Sequence, residues 1–348
     1  MDKRTIFRTT TTQMLRNTAF HYLLALTWVF GAACGGSIET QPKPDQKDDP
    51  KPGARDAATP DAISPATDIL VSETDGTPIA LAIDANDVFW ISIPTGGTAG
   101  TLFKSPKGGG SVVKLASNAT QDSIDAFAVD DSNVYFSSSS GCFKVAKIGG
   151  AAKQNIATRC YDFAVHGGNV YWSTGDTIAT APAVSGTGRT ELSQLKGVDA
   201  IEVDGAYVYW SSGRRGELSR AMHDGSASTV LASASIGDQS DTTLAVDDAN
   251  VYWGAGGSLR KFSKATGQGT TLASESYPII EQIRVDRAHV YAFRSANNGG
   301  EIRRIPVSGG AWETVVAGGL SPVFDIDDAY VYWVAIIDLR SSIRRTLK

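Results

Sequence analysis

The chain has 348 residues, of which only 20% are charged, and it contains 36 glycines. Its formal net charge is −5, and its scattered lysines and arginines form none of the basic stripes that bind nucleic acid, so we expect no nucleic-acid partner. The composition favours a strand-rich protein with many tight turns and gives no sign of a coiled coil.

Residues 1–33 have the layout of a secretory signal peptide. Residues 1–18 are polar and include four basic side chains, and residues 19–33 form an apolar run that ends in small residues. As a helix this run would cover about 22 Å, whereas the hydrocarbon core of a bilayer is about 30 Å thick. We therefore expect export and cleavage rather than a membrane-spanning anchor.

Gly31-Ala32-Ala33-Cys34 resembles the lipobox of bacterial lipoproteins. The resemblance implies that Cys34 is lipidated and that the protein is anchored to a membrane of the bacterial cell envelope. Gly31 stands where the family usually has leucine, and the same residues suit ordinary signal-peptide cleavage, so soluble secretion is the alternative. Residues 34–66 hold six of the 13 prolines and few large apolar side chains, which predicts a disordered tether.

One phrase occurs seven times in residues 67–348: an apolar strand that ends in Asp, a turn, and then Val-Tyr-Trp or a variant of it. The copies are LAIDANDVFW ending at Trp90, FAVDDSNVYF at Phe136, FAVHGGNVYW at Trp172, IEVDGAYVYW at Trp210, LAVDDANVYW at Trp253, IRVDRAHVYA at Ala292 and FDIDDAYVYW at Trp333. A period of about 40 residues with several strands per unit is typical of a closed repeat array. We predict an all-β, seven-bladed β-propeller, with six or eight blades as alternatives, that is monomeric.

The acidic residue of the phrase ends a strand and precedes a turn, so we expect its carboxylate to hold backbone N–H groups of that turn. The alternative is a ring of acids that lines a channel or binds a metal. The residues concerned are Asp84, Asp130, Asp204, Asp247, Asp286 and Asp327, with His166 in the third copy.

Val-Tyr-Trp places apolar groups on both faces of its strand, which predicts a sheet packed between two neighbouring blades rather than a cofactor site. A third strand follows in each copy, with basic residues in six of the seven, and a fourth strand follows in the copies before the last. The seventh copy stops after its third strand, and residues 68–72 resemble the missing fourth. We expect this amino-terminal strand to complete the last blade and close the ring.

The full phrase, including the Gly-x-Ile/Leu-x-Arg segment that follows, resembles the YWTD-type propeller repeats of low-density lipoprotein receptors. It is more similar still to bacterial lipoprotein propellers of unassigned function. The Thr-Asp that ends the receptor motif is absent here, and the receptor propellers have six blades, so the resemblance implies the fold and not the ligand.

Cys142 and Cys160 lie in blade two and in the connection to blade three. In an exported chain we expect them to form a disulfide.

The three histidines of the repeats fall in separate copies, and we interpret them as solvated turn residues rather than metal ligands. They are His166, His223 and His289. No metal or other cofactor is predicted, apart from a cation considered below.

Function is expected on the rim that carries the blade-to-blade connections. Acidic residues recur there near the starts of the innermost strands, at Asp125, Asp162, Asp199, Asp241 and Glu281, with Arg214, Arg215, Arg294 and Arg340 farther out. Solvated loop charge is one interpretation. The other is an acidic mouth of the central channel that binds a cation or a basic peptide.

The sequence contains no GxSxG, HExxH or phosphate-binding glycine motif, and we assign no catalytic residue. The preferred hypothesis is a non-catalytic binding scaffold of the outer membrane or periplasm, with a protein, peptide or glycan ligand held by rim loops. The alternative is a propeller lyase or hydrolase with a site over the channel.

Overall fold

The structure, a computed structural model, describes residues 7–10 and 67–348 except 73, 121–123, 125, 187, 195–196, 214, 234–241, 256, 275–279 and 296–299. Cys34, the predicted cleavage site and the tether lie outside the described residues, as do Asp125, Arg214 and Asp241. Within the described ranges no helix is long and apolar enough to cross a membrane.

The described residues form strands β1 (Phe7–Thr10) and β2 (Thr67–Val71), followed by seven successive groups of strands. Blade one contains β3 (Thr77–Ile83), β4 (Asp87–Ile93), β5 (Gly100–Pro106) and β6 (Val113–Thr120). Blade two contains β7 (Ala126–Val129), β8 (Asn133–Ser138), β9 (Gly141–Ala146) and β10 (Gln154–Ala157). Blade three contains β11 (Asp162–His166), β12 (Asn169–Ser173), β13 (Thr177–Pro182) and β14 (Thr190–Gln194).

The remaining four blades follow the same order from the channel outward. Blade four contains β15 (Ala200–Val203), β16 (Tyr207–Ser212), β17 (Glu217–Met222) and β18 (Thr229–Ser233). Blade five contains β19 (Thr242–Val246), β20 (Asn250–Ala255), β21 (Ser258–Ser263) and β22 (Gly269–Ser274). Blade six contains β23 (Ile280–Val285), β24 (His289–Arg294), β25 (Glu301–Pro306) and β26 (Glu313–Ala317). Blade seven contains β27 (Leu320–Ile326), β28 (Tyr330–Ile337) and β29 (Arg340–Leu347), with β2 as its fourth strand.

Each blade is an antiparallel sheet, and the innermost strands contact those of the neighbouring blades around the ring, including β27 with β3. The predicted seven-bladed architecture is confirmed, and the six- and eight-bladed alternatives are wrong.

The ring closes through the amino-terminal strand. Strand β2 pairs antiparallel with β29, with Thr67 opposite Thr346 and Val71 opposite Ile343. Val71 is buried, and Asp68 accepts a 2.9 Å bond from Arg345 Nε. The predicted closing strand is therefore confirmed, because without it one edge of β29 would have no partner.

Strand β1 lies within the predicted signal peptide and pairs antiparallel with β7, the innermost strand of blade two. It also contacts β3, β11 and β27, the inner strands of three other blades. A chain cleaved before Cys34 would lack this strand.

The Val-Tyr-Trp segments pack as expected for a sheet covered on both faces. In blade three, Trp172 lies in an apolar cluster with residues of blade two, including Tyr135. Its neighbour Tyr171 points the other way, into a cluster with Ile201 and Trp210 of blade four. The aromatic side chains of the Val-Tyr-Trp segments therefore form the core between blades.

The recurrent aspartates stabilise turns, as predicted. In blade five, Oδ1 of Asp247 accepts the backbone N–H groups of Ala249 at 2.7 Å and Asn250 at 2.6 Å. The same pair of bonds occurs at Asp84, Asp130, Asp204, Asp286 and Asp327. These turns join the first and second strands of their blades.

Candidate functional site

The propeller has two different ends. We call the hairpin rim the end with the turns between first and second strands, from residues 84–87 in blade one to residues 327–330 in blade seven. The joining rim is the opposite end, with the blade-to-blade connections and the turns between second and third strands. Of the predicted rim acids, the three that the structure describes, Asp162, Asp199 and Glu281, lie at the joining end of the inner strands.

Asp162 is fully buried at the start of β11. Its Oδ1 accepts the backbone N–H of Phe163 at 2.8 Å, and its Oδ2 accepts that of Ile201, in the inner strand of blade four, at 2.8 Å. A carboxylate used in this way ties two blades together beside the channel.

Asp199 and Glu281 are half-buried at the joining rim. Oδ2 of Asp199 accepts the backbone N–H of Gly213 at 2.5 Å, which anchors the turn between the second and third strands of its own blade. Glu281 accepts a hydrogen bond from the hydroxyl of Ser295. Each of these two acids thus contacts its own blade.

The basic residues farther out have mixed surroundings. Arg215 is exposed, with its Nη1 3.7 Å from Glu217. Arg294 is more enclosed and makes a 3.1 Å ion pair with Glu301. Arg340 is exposed at the start of β29, directly after the tight turn that joins β28 to β29. Like Arg294, it interacts with other groups, so neither side chain is isolated.

That turn of blade seven protrudes from the joining rim. Asp338 and Leu339 have φ angles of 50° and 64°, in the left-handed region that glycine or asparagine usually occupies in a two-residue hairpin turn. Leu339 is 94% exposed and Ile337 is 48% exposed. An exposed leucine in a costly backbone conformation is the kind of local strain that clusters at functional sites.

Inner-strand side chains other than Asp162 also bind backbone N–H groups of the following blade. The acceptors and donors are Thr243 with Ile283, Gln282 with Phe324, and Asp325 with Ile83. This line of polar contacts beside the channel was not predicted. It reinforces the ring where the inner strands of successive blades meet.

Asp325, like Asp162, is a fully buried carboxylate of this group. Burial raises its pKa above the ordinary value, opposed by the guanidinium of Arg284, whose Nε lies 2.9 Å from Oδ1. Asp325, Arg284 and Glu202 occupy the position of the phrase that is alanine in the four other copies. The departures IEVD, IRVD and FDID were therefore the signal that could have identified them.

The hairpin rim carries a belt of lysine–aspartate pairs between blades. Lys264 of blade five donates to Oδ2 of Asp204 in blade four at 2.7 Å and to the carbonyl of Asp247 in its own blade at 2.6 Å. Its Nζ also lies 5.3 Å from the ring centre of Tyr209. Equivalent pairs are Lys107 with Asp327, Lys147 with Asp84 and Lys348 with Asp286.

These contacts set the charge state of the belt. Burial alone would raise the pKa of Asp204, but Lys264 and two backbone N–H donors outweigh it and hold the pKa below its ordinary value. The pKa values of Asp84, Asp286 and Asp327 are lowered for the same reasons. The belt carboxylates are thus ionised at neutral pH and fixed between blades.

Cys142 in β9 and Cys160 before β11 are joined by a disulfide in the structure, with Cα atoms 6.0 Å apart. Both residues are buried. The bond ties the third strand of blade two to the entry of blade three. The formation of this disulfide on export stays a prediction.

His166 and His223 are half-buried, and their ring centres are 6.0 Å apart at the junction of blades three and four. Their 57-residue separation in the sequence gives no hint of this proximity. His289 lies apart from them, in blade six next to Tyr291. Among the described residues no group of three or more His, Cys, Asp or Glu side chains could hold a metal ion.

Seven antiparallel sheets, six of four strands and one extended to five by β1, form a ring closed by a strand from the opposite end of the chain, which defines a seven-bladed β-propeller. No protein-family model matches the chain, and no curated protein sequence does. Solved structures share the fold. The WD40 β-propeller domain of Doa1 has a TM-score of 0.61 at 10% identity, over 82% of this chain and 98% of that one.

Two further solved structures show the same likeness. The computationally designed Ika8 protein has a TM-score of 0.53 at 15% identity, over 79% of this chain and 98% of that one. The extracellular domain of a hybrid two-component system of B. thetaiotaomicron has a TM-score of 0.59 at 12% identity, over 80% of this chain and 39% of that one. At these identities the likeness shows the fold alone, and the resemblance to lipoprotein propellers stays a prediction.

Proposed function

We propose that the protein is an exported binding scaffold, anchored to a bacterial membrane through Cys34, that engages a protein partner with its joining rim. The observation that carries the proposal is the protruding turn of blade seven, where Leu339 and Ile337 are exposed and Asp338 and Leu339 adopt left-handed backbone conformations. Exposed apolar groups on a rigid frame suit protein recognition.

The point where the tether joins the propeller supports an orientation in which the joining rim faces away from the membrane. Thr67 pairs with Thr346, at the end of β29 that lies on the hairpin rim. A chain of the length of residues 34–66 has a root-mean-square span of about 30 Å. A lipid on Cys34 would therefore hold the hairpin rim nearer the membrane, and the joining rim would face away from it.

The comparison with an extracellular bacterial domain is consistent with export, although it carries only the fold. The anchor itself is tested by Cys34→Ala, which should release the protein from the membrane fraction and remove the lipid mass from its amino terminus. Retention of Cys34→Ala in that fraction would contradict lipid anchoring and leave the rim proposal intact.

The rim proposal is tested by crosslinking purified protein to solubilised native envelope and identifying what is captured by mass spectrometry. Leu339→Asp should lose the captured partner. Ile148→Asp should keep it, because Ile148 is similarly exposed, at 92%, but lies in a turn after the third strand on the hairpin rim. Equal capture by both variants would contradict a role for the joining rim.

A further inference from the structure

The junction between blades three and four departs from the lysine–aspartate belt. In four junctions, the lysine that follows the third strand of one blade pairs with the aspartate that ends the inner strand of the preceding blade. The same two positions at this junction hold His223, directly after β17, and His166, at the end of β11. Both members of the pair are therefore replaced together.

Two other junctions show that a missing pair is ordinarily compensated by a lysine from the third strand. Where blade three has Ala183, Lys144 of blade two donates to its carbonyl at 2.9 Å. Where blade six has Val307, Lys261 of blade five donates to its carbonyl at 2.8 Å. The equivalent residue of blade three is Thr180, which bonds instead to Val170 of its own blade. The contact between blades three and four on the hairpin rim therefore depends on the histidine pair.

The geometry of His223 resembles that of the lysine it replaces. Its ring centre lies 5.7 Å from that of Tyr171 in blade three, much as Lys264 lies over Tyr209. Its Nε2 lies 2.9 Å from the carbonyl oxygen of Asp204. A carbonyl only accepts, so Nε2 carries the proton and donates it.

His166 is not needed for its turn. The two residues that follow it, Gly167 and Gly168, have φ angles of 58° and 78° and form a two-residue hairpin turn that closes without a capping carboxylate. The side chain of His166 is therefore available to the junction, where it faces the ring of His223.

The charged groups around the pair give little compensation if the ring of His166 becomes cationic. Asp204 is the acid that favours protonation of His166, but its Oδ2 is already bound by Lys264 and by the hydroxyl of Tyr209. Asp224 is exposed beside His223. Burial, then His223, lower the pKa of His166, and Asp204 opposes them only in part.

We propose that the pairing of His166 with His223 makes the junction of blades three and four an acid-sensitive joint, tight when His166 is neutral and weakened when acid charges it beside the ring of His223. A histidine whose pKa is lower in the folded than in the unfolded chain stabilises the fold above the unfolded value, about 6.5. That stabilisation is lost as the pH falls through 6.5 towards the folded value. The carboxylates of the lysine–aspartate junctions, whose pKa values are lowered, stay ionised over this range.

The test compares the melting temperature of the purified full-length protein at pH 7.5 and pH 5.5, a window above the ordinary titration of carboxylates. The double variant H166D/H223K restores the pair found at four other junctions. H166Q/H223Q supplies a neutral pair, for the case in which the charged pair does not fold. We expect the wild type to lose about 3 °C more than either variant on acidification.

H289Q is the matched control, because it removes a half-buried histidine of another blade and should keep the full acid-induced loss. Hydrogen exchange should locate the loosening in peptides that cover residues 162–173 and 217–224. Equal losses in the wild type and in the folded double variants would overturn the proposal. So would a loss that disappears in H289Q alone.

Discussion

The disulfide between Cys142 and Cys160 offers a direct measure of how strongly blades two and three are tied. The bond closes a loop with a sequence separation of 18 residues. For this loop the entropy of the unfolded chain accounts for about 3 kcal/mol of stability. In a propeller of this size the loss of that amount should lower the melting temperature by about 6 °C.

The measurement is calorimetry of C142A/C160A and of the parent protein with and without a phosphine reductant. Both proteins should carry Cys34→Ala, so that only the pair contributes thiols. The parent should show no free thiol after denaturation and should melt lower when reduced, whereas the reductant should not affect the double variant. Two free thiols in the denatured parent, or a melting temperature indifferent to reductant, would refute the reasoning.

Three further predictions concern the frame of the propeller. Deleting the chain through residue 72 should expose the edge of β29 and give oligomers in size exclusion with light scattering, whereas deletion through residue 66 should leave a monomer. Trp172→Ala should cost about 3–5 kcal/mol in urea unfolding, because Trp172 is fully buried between blades, and half-buried Trp312→Ala should cost less. Lys264→Met should reduce stability at pH 6 but lose less than the wild type between pH 6 and pH 3. The lowered pKa of Asp204 means that its contribution is present above the ordinary carboxyl range and lost as the pH falls through its folded value.

The architecture could be predicted because the same local sequence pattern occurs seven times. Val-Tyr-Trp demands apolar neighbours on both faces, and only a sheet between two blades supplies them to every copy. Asp247 and its equivalents needed only their own turns, where the bonded N–H groups lie two and three residues ahead. Such contacts are local, so they can be predicted from the sequence alone.

The partners of the rim residues could not be predicted in the same way. Asp162 looked like a surface acid at a blade entry, yet it is buried and binds a backbone N–H 39 residues away. Sequence position identifies which rim a residue is near, but not whether its side chain turns towards solvent or towards the next blade. That choice depends on the packing of the neighbouring inner strand.

By itself, the sequence determined the number of blades, the strand that closes the ring and the turn role of the recurrent aspartates, because each follows from a periodic local pattern. Only the tertiary structure decided that Lys264 reaches back to Asp204, that Arg284 pairs with Asp325, and that His166 meets His223. These contacts join blades whose residues are tens of positions apart. Whether they form depends on the distance between neighbouring blades. That distance is set by closure of the whole ring and cannot be predicted from the sequence of a single repeat.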